Sequence, residues 1–332
     1  MKILALVILV ILLIATEGFS QNIQQREPEV KIIFNDSAAT YVLMHPADAL
    51  IKERDSIWRT FGGYQITLTW HKESSFPVGW EIWEKGLNRF LYKDTSLIRK
   101  SLDLAHALRS KVQGEKNKIV SHISSYVGEK TDFNAYVYFV AFTIPYAFCV
   151  EQNKIGIDIT ADEWYFDVDC VLNTAIHEIY HVGFRINSPD NKYREKDPVD
   201  KTTFLRFNYA YMQSEGMATY VGYKALKLFP SNFRHDDYKL LEEDIKVKKA
   251  IGQINTLIAM SKKVAADSLN KESWKIGVSE RAYYVAGAYM AKRIEENFGT
   301  RYLAELVNKG SLQFVKDYNA IVPGEYRISL VE

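Results

Sequence analysis

His177, Glu178 and His181 are the residues of this chain best suited to chemistry, set in the run NTAIHEIYHVGF from Asn173 to Phe184. On a helix of 3.6 residues per turn the two histidines stack on one face, and each can turn an imidazole nitrogen towards a single ion. Glu178 stands beside the first and three residues before the second, so it flanks such an ion without having to bind it. That is where a general base for a metal-activated water belongs, and the pattern predicts zinc-assisted hydrolysis. With seven histidines in 332 residues, chance would produce His-Glu-x-x-His on the order of 0.01 times, which sets coincidence aside. The flanks agree. Apart from Tyr180, the motif residues are the only ionisable ones between Asn173 and Phe184. An otherwise apolar helix is buried, and buried ionisable groups need partners or a metal.

A catalytic zinc takes three protein ligands and leaves one position open. The spacing H-E-x-x-H-x-x-G-x-x-H would need glycine at 184 and histidine at 187, where the chain has Phe184 and Asn187. Cys170 lies seven residues before His177, about 10 Å along a continuous helix, too far for a Zn–S bond of about 2.3 Å. The better candidate is Glu215 in YMQSEGMATYVGY (211–223), a single carboxylate in an uncharged run from Asn208 to Tyr223. Gly216, Ala218, Thr219 and Gly222 would let that helix approach a neighbour closely, and zinc would compensate the burial of the carboxylate. Asp190, Glu195, Asp197, Asp200, His235 and Asp236 are alternatives in stretches that read as solvated.

The elements that must position these residues follow from periodicity. Residues 21–35 read as irregular, and Ser37 to Trp58 has helical spacing broken near His45-Pro46. Gly62-Gly63 reads as a turn and YQITLTW (64–70) as an alternating strand. Ser96 to Val127 carries apolar residues at helical intervals, as one or two helices. AYVYFVAFT (135–143) and NKIGIDIT (153–160) are strand candidates, and Asp167 or Asp169 is the expected N-cap of the motif helix. Residues 187–203, polar with two prolines, read as a solvated loop. Helices are expected over Phe204–Leu228, Asp237–Lys263, Glu280–Phe298 and Arg301–Asn308. The predicted class is α+β and predominantly helical: a small mixed sheet and active-site helix, then a helical C-terminal lobe. In domain terms this is a signal peptide over 1–20, an N-terminal α/β lobe over 21–186 ending in the motif helix, and a C-terminal lobe over 187–332 carrying the third ligand.

Composition narrows the function classes. Formal net charge is +1, from 42 basic and 41 acidic residues without a long block of one sign, so no nucleic-acid or anionic-membrane partner is expected. Met1-Lys2 followed by thirteen apolar residues to Ala15, with Gly18 and Ser20 before Gln21, has the anatomy of a secretory signal peptide. Cleavage near Ser20 would release an exported protein with no stable membrane insertion, since the apolar run is shorter than the roughly 20 residues of a span. In an oxidising compartment Cys149 and Cys170 could pair or stay as buried thiols, and both readings stand.

His-Glu-x-x-His followed on a later helix by Glu215-Gly-Met-Ala218 resembles the gluzincins, zincin metallopeptidases whose third ligand is a glutamate, and within them uncharacterised bacterial zinc-dependent peptidase families. The resemblance covers roughly Ile155 to Leu306. It implies a zincin-like fold with one Zn²⁺ per chain on His177, His181 and Glu215, Glu178 as base, and a peptide or protein substrate. It also implies that NKIGIDIT is an edge strand pairing with extended substrate. Tyr284-Val-Ala-Gly287 is similar to the Y-x-x-G of gluzincin aminopeptidases, which makes Tyr284, ahead of Tyr283, the candidate oxyanion donor. Two features depart from the pattern. Thr219 stands where an aspartate commonly orients the first histidine, and G-x-M-E-N is missing, which argues against trimming from a free amino terminus. The rival readings are an exported binding or scaffold protein with a structural zinc, and a zinc amidase acting on a non-protein amide.

Overall fold

The computed structural model describes residues 29–330 apart from 52–53, 75–79, 128–130, 144, 151–152, 163–165, 195–197, 199, 234 and 262–265. The proposed signal segment and the alternative ligands Glu195 and Asp197 lie outside the described residues. Among those described, no helix is long and apolar enough to cross a membrane.

The chain is predominantly helical around one small mixed sheet. It opens with β1 (Val30–Asn35), then α1 (Ser37–Met44), α2 (Pro46–Ile51), α3 (Arg54–Thr60), α4 (Gly62–Ser74), α5 (Trp80–Asn88) and the long α6 (Ser96–Val127). Strands β2 (Phe133–Val140), β3 (Ala147–Val150) and β4 (Lys154–Asp158) follow, then α7 (Val168–Asn187), which carries His177, Glu178 and His181. The remainder is α8 (Lys201–Ala225), α9 (Asp236–Glu242), α10 (Asp244–Met260), α11 (Ala266–Ser273), α12 (Ala282–Phe298), α13 (Thr300–Lys309) and α14 (Ser311–Ile321). One apolar core runs from β1 to the C-terminal segment at Ile328.

Sheet order is β1-β2-β4-β3; β1 and β4 run parallel to β2, and β3 is antiparallel to β4. Along β2, Phe133, Ala135, Val137 and Phe139 are buried, with Val127 and Phe133 meeting α7 at Gly183. The alternate residues Tyr138 and Val140 meet α4 at Gly62 and Gly63. The strand expected over 135–143 therefore forms, over Phe133–Val140, with both faces covered.

Several expectations need correction. Residues 64–70 are helical, not a strand, and Gly62-Gly63 begins α4, not a turn. The alternation of YQITLTW yields to tertiary packing: a Cβ on Gly63 would come within 2.6 Å of Val140 Cγ1, so glycine lets the helix lie on the sheet. The threonine hydroxyls that suggested a strand donate one turn back, Thr67 to the Gly63 carbonyl and Thr69 to the Gln65 carbonyl. Residues 30–35 form β1, not an irregular stretch, because their parallel partner lies a hundred residues on, with Val30 opposite Phe133. NKIGIDIT supplies β4, which is internal; the edge strand beside the motif helix is β3. Asp167 is the N-cap of α7, accepting from the Cys170 amide. Cys149 and Cys170 are both unpaired thiols.

Candidate metal centre and active site

Three helices build the site. The apolar residues of α7 bury it between the sheet and α8, which leaves His181 4% exposed and turns both imidazoles towards α8. Glu215 lies on α8, itself buried along most of its length. Helix α12 crosses α8 where two glycines meet: a Cβ on Gly216 would lie 2.2 Å from Gly287 Cα, and one on Gly287 would lie 2.0 Å from the Met212 carbonyl. The residue before the first glycine is Glu215 and the residue three before the second is Tyr284, so this backbone contact sets both side chains against α7.

The result is a compact donor set. His177 Nε2 and His181 Nε2 are 3.2 Å apart, and Glu215 Oε2 is 3.2 Å from the second and 3.7 Å from the first. A tetrahedral zinc with bonds of about 2.0–2.1 Å places its donors roughly 3.3 Å apart, and these separations suit it. The chemistry of the donors points the same way. Burial pushes His181 down to about 4, so its ring is neutral at pH 7, with the Glu215 carboxylate only partly opposing that effect. Its Nδ1 lies 3.2 Å from Ser214 Oγ, which also accepts from Arg194 Nη1. A proton on Nδ1 donated to that hydroxyl leaves the Nε2 lone pair facing Glu215. Two imidazole nitrogens and a carboxylate oxygen converging in a buried space fit a cation, and His177, His181 and Glu215 form a metal-competent group.

Glu215 is held from behind. Against burial, which raises it, His181, His177 and Arg194 bring its carboxyl well below the usual range. Arg194 Nη2 donates to Oε1 at 2.6 Å, leaving Oε2 for the histidines. Arg194 comes from the polar loop after α7 and lies over the Tyr211 ring, with its centre 4.7 Å away. That loop is therefore not simply solvated. Asp190 is buried in it too, accepting from the Ser311 amide and hydroxyl at the start of α14. Of the alternative ligands, Asp190 and Asp200 are helix caps and Asp236 pairs with Lys239 on the surface.

The cleft in front is lined by Pro145, Tyr146 and Ala147 at the start of β3, Thr174, His177 and Glu178 on α7, Glu215 and Thr219 on α8, and His235, Asp237, Tyr238, Arg281 and Tyr284 opposite. Burial raises the Glu178 carboxyl above its ordinary value; His177 lowers it and Glu215 raises it further. The Tyr284 ring stacks on His177 with centroids 6.4 Å apart, and burial raises its phenol, with Glu215 adding to the effect. Tyr283 instead points into the core, bonded to Asn208 and Ser273.

Residues 83–323 match the family described as "Putative zinc dependent peptidase (DUF5700)". The chain belongs to the DUF5700 family. No curated protein and no solved structure matches it. The matched span takes in both DUF5700 helices that carry the donor set, α7 and α8, and the helix α12 that carries Tyr284.

Sequence reasoning missed four residues of this DUF5700 site: Ser214, Arg194, Asp237 and Arg281. Arg281 is held by Asp237, with Nε 3.0 Å from Oδ1 and Nη2 2.5 Å from Oδ2, and its guanidinium lies 3.1 Å over the Tyr284 ring. Against burial, His235 and Arg281 hold Asp237 below the usual carboxylate range. Arg281 adopts a left-handed backbone, φ 66°, at the N-cap of α12, a conformation that costs a non-glycine residue about 1–3 kcal/mol and clusters at functional sites. The available signal was Ser214, adjacent to Glu215; the others are distant in sequence and polar in polar surroundings. Thr219 is buried, and its hydroxyl has no partner among the described residues.

Proposed function

We propose that the chain is an exported zinc metallopeptidase of the gluzincin type, with one Zn²⁺ on His177, His181 and Glu215 and a peptide or protein substrate. What carries this reading is the convergence of the two Nε2 atoms and Glu215 Oε2 within 3.2–3.7 Å of one another, with Glu178 lining the same cleft outside that group. A structural site needs the ligands but has no use for a raised carboxyl at position 178. The lobes 21–186 and 187–332 would then flank the cleft in a zincin-like manner, and export would follow cleavage near Ser20.

Zinc bound there supplies Lewis acidity, polarising the scissile carbonyl and acidifying the attacking water. Glu178 takes the water's proton as the carbonyl carbon is attacked, and delivers it to the amine nitrogen as the C–N bond breaks. Its raised affinity for a proton suits both steps. The Tyr284 phenol, kept protonated by burial and fixed under Arg281, donates to the oxygen that gains charge. The test is Glu178→Gln. Zinc content stays at one per chain while chelator-sensitive cleavage of unfolded protein substrates falls by roughly 10²–10⁴. Equal turnover in both proteins would remove Glu178 as the base.

A further inference from the structure

The edge strand β3 presents only half of its backbone to the cleft side. Phe148 lies opposite Gly156, and the Tyr146 carbonyl accepts from the Asp158 amide at 2.7 Å. In an antiparallel ladder, hydrogen-bonded and non-bonded pairs alternate. Residues 146, 148 and 150 therefore turn their amides and carbonyls inward to β4. Ala147 and Cys149, opposite Ile157 and Ile155, turn theirs to the free edge. These two residues are all the strand can offer to an added chain.

They are not equally available. Ala147 lines the cleft with His177 and Glu178. The Cys149 carbonyl is already taken: Arg185 Nη2 donates to it at 3.2 Å, and Nη1 lies 3.3 Å from Cys149 Sγ. Arg185 stands on α7 seven residues beyond Glu178, two turns or about 10 Å along the axis on the same face. The guanidinium thus bridges the motif helix and the sheet edge two residues along β3 from Ala147, the strand residue that lines the cleft. The thiol is inert, since burial pushes it up to about 11, with Arg185 only partly offsetting that.

We propose that Arg185 is a specificity-determining residue that closes the free edge of β3, so that an extended substrate pairs with the sheet through Ala147 alone on that side of the scissile bond. The proposal rests on the peptidase reading and adds a substrate class: chains that need a backbone partner for a single residue on that side. Cleavage then depends little on what lies further along.

Zinc-anchored peptides test this without requiring turnover. Two series of one to four residues are used, one with a C-terminal hydroxamate and one with an N-terminal hydroxamate, so that each extends to one side of the metal. Affinity for the zinc-loaded protein is measured by calorimetry. In the wild type one series gains affinity with its first residue and then stays within about twofold. In Arg185→Ala, and in Arg185→Met, which keeps the side-chain stem packed, that same series gains about tenfold on adding the third residue, the one that comes opposite Cys149 when the first pairs with Ala147. The other series is unchanged by either substitution. Melting temperatures of both variants verify the fold. Affinity rising with every residue in both wild-type series overturns the proposal while leaving the zinc site standing, as does a length profile unaltered in both variants. Hydroxamates that fail to bind at all overturn the zinc reading and this proposal with it.

Discussion

Two carboxylates on the packed pair α8 and α12, Glu215 and Glu295, are held by different kinds of neighbour. Glu295 receives hydrogen bonds from Tyr126 at 2.9 Å, Lys224 at 2.7 Å, Thr300 at 2.6 Å and the Tyr220 hydroxyl. Every neighbour is a donor, and the group is complete within the protein. Glu215 has one such donor, Arg194, on Oε1. Its Oε2 faces two imidazole nitrogens, and burial keeps one of those rings neutral. That oxygen and the two Nε2 atoms are all atoms able to ligate a metal, the kind of set that a divalent cation joins.

The largest expected difference between the two is metal dependence. Glu215→Gln should lose zinc affinity by more than the roughly 10–100-fold that a lost supporting partner costs, read by competition with a chromophoric chelator. Zinc at 100 times its Kd should stabilise the wild type by about 2.7 kcal/mol, a rise in Tm of roughly 4 °C for a chain of this length, and leave the variant nearly unmoved. A Glu215→Gln protein that holds zinc like the wild type would erase the distinction.

Glu295→Gln should do the reverse, keeping zinc affinity while losing about 1–3 kcal/mol of stability in urea titration. Its pH behaviour follows from the same contacts. Against burial, Lys224, Thr300, Tyr220 and Tyr126 bring Glu295 down to about 2 from an ordinary 4.5. A depressed carboxylate contributes stability that is fully present above 4.5 and is lost as pH falls from there towards about 2. Stability measured across that window should fall less steeply in Glu295→Gln than in the wild type. Ser214→Ala is a subtler change on the Glu215 side, removing the hydroxyl beside His181 Nδ1. A 10–100-fold loss of zinc affinity with an unchanged Tm of the metal-free protein is expected; unchanged affinity would show that the ring needs no such support.

The same contrast explains what the sequence made legible. His177, His181 and Glu215 stood out because each charge or imidazole sat in a run with no other reason to carry one, and Gly216 signalled a close helix neighbour, which the structure shows to be α12 at Gly287. Glu295 lies among polar residues in KRIEENFG (292–299), and nothing local distinguishes it. Arg194 and Arg281 were hidden for the same reason, each drawing its role from a carboxylate on another element. Long helices such as α6, with apolar residues at regular intervals over 32 positions, were readable from period alone. The helix α4 and strand β1 were not, because a glycine's contact with Val140 and a partner strand a hundred residues away decide them.

Thr219 gives the finest test of the comparison. It lies one turn after Glu215 on α8, in the cleft. Its hydroxyl is buried without a hydrogen-bond partner among the described residues. An unpartnered buried hydroxyl carries its desolvation cost with no return, so Thr219→Val, which keeps the shape, should change stability by less than about 0.5 kcal/mol or raise it. Zinc affinity should also hold, because a hydroxyl bonded to nothing cannot be steering the ring. A tenfold or greater loss of zinc affinity in Thr219→Val would mean that the hydroxyl turns towards His177 once the metal is bound. The first histidine would then have a supporting partner in the place where the sequence lacked one, matching Ser214 at the second.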